Sequence, residues 1–286
     1  MKATTSSPVT ERLLSFGLTA SAGLSGAILV GIVAVLLWQS LPFMVQHGAT
    51  LGSAAWRPGE EHYGMLAMVA GSLLAALLAL ALAAPVAVLL AAWLRYFAAP
   101  IRRPVLALVE LMAGIPSVVY GLWGLLVLVP WINQWAPPGT SWLAASLVLA
   151  LMILPLALLV TDSALGQLPS SWRQAGNSLS LSKVGMLRRV LLPQAMPAII
   201  SGIVLQFGRA LGETMAVLMV AGNVVQLPGS VFEPIRTLTA NIALEMAYAT
   251  GDHRLSLFAS GLLLVLVTAV LLTLSWRLRG RVSHVA

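Results

Sequence analysis

Six long apolar stretches, roughly residues 16–38, 65–93, 105–129, 142–161, 197–221 and 255–276, alternate with shorter segments that carry most of the charge. Each is long enough for the ~20 apolar helical residues that cross a hydrocarbon layer ~30 Å thick. The pattern predicts an all-α integral membrane protein with six transmembrane helices. It shows no strand alternation and no internal repeat. The segments 42–64, 130–141 and 222–254 hold Trp, Pro, Gly and acidic residues, with Trp38, Trp56, Trp131, Trp135 and Trp142 placed as an interfacial belt. The last of them contains an apolar-periodic piece, Ile235 to Met246, which predicts a short outer helix or re-entrant segment. Stretch 65–93 exceeds one straight crossing, so it should tilt or kink, with Pro85 the natural place.

Composition agrees with the pattern: of 286 residues 59% are hydrophobic and 9% charged, against about a quarter charged in soluble domains. No room remains for a large soluble domain. The first stretch follows Lys2 and Arg12, as a signal peptide would, but its apolar run is long and no cleavage site stands out, so it reads as a retained helix. The net charge of +7 is spread over short loops rather than gathered into a nucleic-acid patch. It reports orientation instead. With the N-terminus inside, Lys2, Arg12, Arg95, Arg102, Arg103, Arg173, Lys183, Arg188, Arg189, Arg277, Arg279 and Arg281 fall on the cytoplasmic side. Only Arg57, Arg236 and Arg254 fall outside, so the positive-inside rule predicts cytoplasmic termini. The domain reading is therefore a tail at 1–15, a membrane region at 16–276 with a cytoplasmic loop at 166–197 and an outer segment at 222–254, and a tail at 277–286. The chain has no cysteine, and His47, His62, His253 and His284 lack ligand spacing, so no metal site or cofactor is expected.

The loop 166–197 is proline-bracketed and basic. Pro169 and the serines after it can start a helix in which Trp172, Ala175, Gly176 and Leu179 fall at i, i+3, i+4 and i+7 on one face. After Ser180-Leu181-Ser182 a second helix presents Val184, Leu187, Val190 and Leu191, and Pro193 and Pro197 should bend the chain into the fifth crossing. Two turns of helix are marginal in water, so lipid headgroups or a protein groove must hold the first of these helices.

The run Gln174-Ala-Gly-Asn-Ser-Leu-Ser-Leu-Ser-Lys183, followed by Leu192-Pro193 and Pro197, resembles the EAA loop of the MetI-like ABC-importer permeases, whose coupling helix enters a groove on the ATPase subunit. Gln174 stands where that family usually has Glu, Gly176 where it has a second Ala, and Ser180 where it has a nearly fixed Gly. The resemblance implies that Trp172, Gln174, Ala175, Gly176, Leu179, Ser180, Leu181 and Pro193 contact an ATPase.

The other marked feature is a pair of charges inside the fifth stretch. Arg209 lies about 16 Å beyond Ala198 at 1.5 Å per helical residue, near mid-bilayer, where a charge costs about 2.5–3.5 kcal/mol on insertion scales. Glu213 is one helical turn further, so the two side chains share a face and can pair. The arrangement could pass an oxyanion over the guanidinium fork, act as a lock that changes partners between states, or fix packing. Gly208-Arg-Ala-Leu-Gly-Glu-Thr-Met-Ala-Val217 closely resembles the signature of the phosphate-importer permeases, and Ala113-Gly-Ile-Pro-Ser-Val-Val-Tyr-Gly-Leu-Trp-Gly124 resembles their third-helix motif. With Arg236-Thr-Leu-Thr-Ala-Asn-Ile-Ala243, the resemblance covers about 65–276 and is to the PstC type more than the PstA type. It implies a bacterial inner-membrane permease for inorganic phosphate with Arg209, Glu213, Thr214 and Ser117 along the pathway. It also implies a PstA-type permease partner, two PstB-type ATPase copies and a periplasmic PstS-type binding protein.

The weaker residues have plainer readings. Glu110 is expected to pair with Arg102 or Arg103 at the membrane surface, and Asp162 to be solvated or to touch the loop. The third helix, with Gly114, Pro116, Gly121 and Gly124, reads as closely packed or as bent along a pathway. No Gly-x-x-x-x-Gly-Lys-Ser/Thr run is present, so ATP hydrolysis is expected on a separate subunit. Other oxyanions (phosphonate, sulfate, molybdate), or ion-coupled transport without an ATPase, stay open at this point.

Overall fold

The computed structural model describes residues 8–48, 50–178 and 180–282. α1 (Pro8–His47) leads to a hairpin of β1 (Trp56–Arg57) and β2 (His62–Tyr63), turned by a 3-10 segment at Pro58–Glu60. There follow α2 (Leu66–Tyr96), α3 (Ala99–Ala113), α4 (Ser117–Asn133) and α5 (Trp142–Gly166). The second half comprises α6 (Ser170–Ser178), α7 (Lys183–Gly212), α8 (Met215–Val220), α9 (Leu238–Glu245) and α10 (Gly251–Val282). The hairpin has no trace in the sequence pattern, because two-residue strands are too short to alternate.

Among the described residues five helices are long and apolar enough to cross a membrane, and the third stretch becomes a sixth only as a broken pair, with α3 and α4 bent by 90°. The bend sits at Gly114–Pro116. Proline brings no N–H and pushes the residue before it out of the helical region, here Ile115. Tyr120 Oη donates to the carbonyl of Met112 at 2.9 Å, bracing the corner from the second helix back to the first. α2, by contrast, runs unbroken through Pro85.

α5 is the centre of the molecule. Its face from Ala144 to Ile153 packs against Ala75, Ala76, Ala79 and Ala83 of α2, with Ala87 and Ala91 continuing the stripe towards Ala157 and Leu158. Cβ-only side chains let the two helices approach closely, so van der Waals contact rather than hydrophobic transfer holds them in lipid. Opposite faces carry exposed Leu77, Leu82 and Leu89. α1 lies outermost and its apolar window is unburied, packing on α10.

The fifth stretch departs from expectation in two ways. Pro193 and Pro197 do not interrupt the helix: the second loop helix and the fifth stretch are continuous as α7, with a π-type turn over Leu187–Leu191 just before Pro193. The wider turn accommodates a residue that cannot donate to the ladder. α7 then stops at Gly212, Glu213 is extended (φ −70°, ψ 128°), and α8 begins at Met215. Within the piece Ile235 to Met246 a short helix does form, α9 at Leu238–Glu245.

Candidate functional site

The break between α7 and α8 governs the charged pair. Arg209 is on the last turn of α7 and exposed, whereas Glu213 has left the helix and is half-buried. The two are not an i, i+4 pair, because the four intervening residues no longer form a turn. Arg209 is in none of the ion pairs among the described residues. The Glu213 carboxylate instead accepts from the Ala216 N–H at 3.3 Å, at the start of α8. Its carbonyl accepts from Thr239 Oγ1 of α9 at 3.0 Å.

Thr214 and Ser117 are half-buried. Ser117 opens α4, and α4 packs on α8 where a Cβ on Gly121 would stand 2.8 Å from Ala216 Cα. Gly124 repeats the device one turn on, against Val148 and Val220. Gly121 and Gly124 of the third-helix motif therefore serve close packing, and they bring the helix of Ser117 against the one that follows Glu213 and Thr214. Arg209, Glu213 and Thr214 thus flank a helix break, and a break at membrane depth leaves backbone groups that are tolerated only against protein or water.

The described residues of the loop 166–197 form a folded unit. Gln174, Ala175 and Ser180 are exposed, Trp172 and Leu181 half-buried, and Pro193 is exposed on α7; Leu179 lies outside the described residues. Gly176 is not on an outward face: it is buried, and a Cβ there would fall 1.6 Å from Met186 Cε. This corrects the single apolar face expected for the helix, because Met186 on the neighbouring α7 has already taken that position. Leu181 N–H closes on the Gly176 carbonyl at 3.0 Å and Ser180 takes φ +54°, a left-handed position at which glycine is strain-free.

Two buried ionic clusters went unread in the sequence. Asp162, near the end of α5, receives bidentate bonds from Arg95 of α2 (3.0 and 2.7 Å) and Arg102 of α3 (2.9 and 2.5 Å). Glu110 is exposed and unpaired with either Arg102 or Arg103, from which it stands about 10–12 Å along α3. Glu245, at the end of α9, binds Arg236 Nη1 at 2.7 Å, Trp56 Nε1 at 2.9 Å and His253 Nε2 at 2.8 Å. Arg236 also donates to the Asn241 amide oxygen and the Asn223 carbonyl. The available signal was the rarity of acids: each of these two is the one acid of an otherwise apolar helix.

A family model described as binding-protein-dependent transport system inner membrane component matches residues 83–283. A phosphate transport system permease protein PstC from Mesorhizobium japonicum is 34% identical over 284 residues, covering 90% of this chain and 86% of the relative. A probable ABC transporter permease protein YqgH from Bacillus subtilis is 37% identical over 238 residues, 81% of this chain and 77% of the relative. Among solved structures, the inward-facing MetNI methionine ABC transporter aligns with a TM-score of 0.59 at 18% identity, over 74% of this chain and 93% of that one, a likeness of fold. The class so defined is the membrane-embedded permease of an ABC importer. Within it, the chain belongs to the binding-protein-dependent transport system inner membrane components, in the PstC permease family.

Proposed function

We propose that the chain conducts inorganic phosphate across a bacterial inner membrane as one permease of a heterodimer, its partner being of the PstA type. A pair of PstB-type ATPases drives it and a PstS-type periplasmic protein delivers the anion. The carrying observation is Arg209: a guanidinium that is exposed and unpaired beside a helix break, in a chain whose relatives are named as phosphate permeases. A planar fork of N–H donors matches a tetrahedral oxyanion, and a positive charge offsets the cost of bringing an anion into low dielectric. The test is reconstitution of the complete transporter with a panel of oxyanions, following uptake and ATP hydrolysis together. Hydrolysis and uptake stimulated by sulfate or molybdate but not phosphate would overturn the reading.

The proposed topology is six crossings, counting α3 and α4 as one, with both ends cytoplasmic. Its support is the two ionic clusters at opposite ends of α2. Arg95 joins Asp162, while Ser72, whose hydroxyl accepts from Leu238 N–H at 2.9 Å, lies 23 residues or ~35 Å away near the Glu245 cluster. That span matches a hydrocarbon layer of ~30 Å. The chain lacks cysteine, so single-cysteine labelling is clean. Glu60→Cys is expected to react with an impermeant maleimide from the periplasm and Val184→Cys only after permeabilisation; the reverse would refute the orientation.

α6 is proposed to dock on the ATPase through Trp172, Gln174 and Ala175. Ala175→Glu places a charge on this exposed surface without touching the Gly176–Met186 contact. It is expected to cut co-purification of the ATPase several-fold while membrane insertion is unchanged. Full recovery of the ATPase would count against docking here.

A further inference from the structure

Nothing in the local sequence compels α7 to stop at Gly212. No proline lies between Arg209 and Val220, Gly212 is sterically free with no neighbour within 4 Å of a Cβ, and Met215, Ala216, Val217 and Leu218 form helix readily. Besides the local cap that the Glu213 carboxylate places on the Ala216 N–H, the break meets contacts from residues 235–239. The Glu213 carbonyl would take the Val217 N–H in a continuous helix, but it accepts from Thr239 instead. The far end of α8 is tied as well, since Ile235 N–H donates to the Ala221 carbonyl at 2.9 Å and Arg236 Nε to the Asn223 carbonyl at 2.8 Å.

The hydroxyl protons can be assigned. A carbonyl offers no hydrogen, so Thr239 must spend its one O–H on Glu213. The 3.1 Å contact between Thr237 Oγ1 and Thr239 Oγ1 then takes its hydrogen from Thr237, which in turn accepts from the Ala240 N–H at 3.2 Å as the cap of α9. The direction of this chain fixes Thr239 as the donor to the break. Behind it, Arg236 is anchored on Glu245 and Asn241, and Glu245 on Trp56 and His253, so α9 reports the position of the hairpin and of the start of α10.

We infer that Thr239 is a positioning residue for the pathway: its bond to the Glu213 carbonyl keeps α7 and α8 separate and so keeps Arg209 and Glu213 apart. When α9 withdraws, the carbonyl returns to the helical ladder, the helix closes through Gly212, and Glu213 comes to i, i+4 from Arg209 on the same face, where the two pair and the guanidinium is no longer available to an anion. Movement of the outer segment is thereby converted into availability of one cation. The inference rests on the reading of Arg209 as the anion's contact, but the state of the helix can be measured without it.

The experiment compares Thr239→Val, which keeps the shape and removes the donor, with Thr239→Ser, which keeps the donor, in the assembled transporter. Hydrogen–deuterium exchange over 213–217 is the primary readout. A broken helix leaves these amides poorly protected, so the valine variant is expected to slow their exchange several-fold, whereas simple loosening of the structure would speed it. The serine variant is expected to match the wild type. Phosphate uptake is expected to fall about tenfold for valine and to be retained for serine. Unchanged or faster exchange at 213–217 in the valine variant overturns the inference, as does loss of uptake by serine equal to that by valine. If the wild type carries no phosphate while the exchange result holds, the substrate reading fails and the switch stands.

Discussion

Arg209→Ala is expected to lower phosphate uptake about ten- to a hundredfold in a transporter that still assembles. A charge-assisted hydrogen bond contributes about 1.5–3 kcal/mol, and each ~1.4 kcal/mol is a factor of ten. Assembly should survive because Arg209 is exposed and in no ion pair, so its removal leaves no buried partner behind. Arg209→Lys keeps the charge but replaces the two-pronged fork by a point charge, so part of the activity should return. Glu213→Gln separates the two roles of the carboxylate. An amide oxygen can still accept from the Ala216 N–H, but it carries no charge to receive the proton-bearing oxygen of phosphate or to pair with Arg209. Uptake by Arg209→Ala at the wild-type rate would make the residue structural.

Asp162→Ala should behave in the opposite way, damaging the structure before any transport step. Its carboxylate is 8% exposed and faces two guanidinium groups that are 15% and 28% exposed. Removing it leaves two neighbouring cations with no counterion, and breaking such a pair costs about 3–5 kcal/mol, a large share of the ~5–15 kcal/mol that holds a typical domain. The expected result is a lower apparent Tm and poor recovery of the complex. Replacing Arg95 by methionine as well removes one of the stranded charges, so the double variant should melt above Asp162→Ala alone. Equal Tm values for wild type and Asp162→Ala would show that the cluster contributes nothing to the meeting of α2, α3 and α5. The contrast between the two residues is the useful part: one is a charge without a partner, the other a charge with two.

The sequence determined the membrane class and the places of the apolar helices, because bilayer insertion is decided locally, by the length and composition of each stretch, and it marked 235–246 as the place of a further short helix. It also located Arg209, since a charge inside an apolar run is conspicuous by itself. What it did not determine was what each charge meets. Asp162 is 67 residues from Arg95 and 60 from Arg102, and Trp56 is 189 residues from Glu245. Only packing of helices that look equally apolar brings them together. The alanines of α2 that set this packing were invisible to hydropathy, because lipid-facing leucine and helix-facing alanine both count as apolar and differ in size alone. The helix break is the clearest case. Residues 208–217 read as one turn after another, and the i, i+4 spacing of Arg209 and Glu213 follows from that reading. The tertiary structure overrules it because α9 offers the Glu213 carbonyl another donor, and a ladder bond is exchanged for a bond to a distant hydroxyl at little cost.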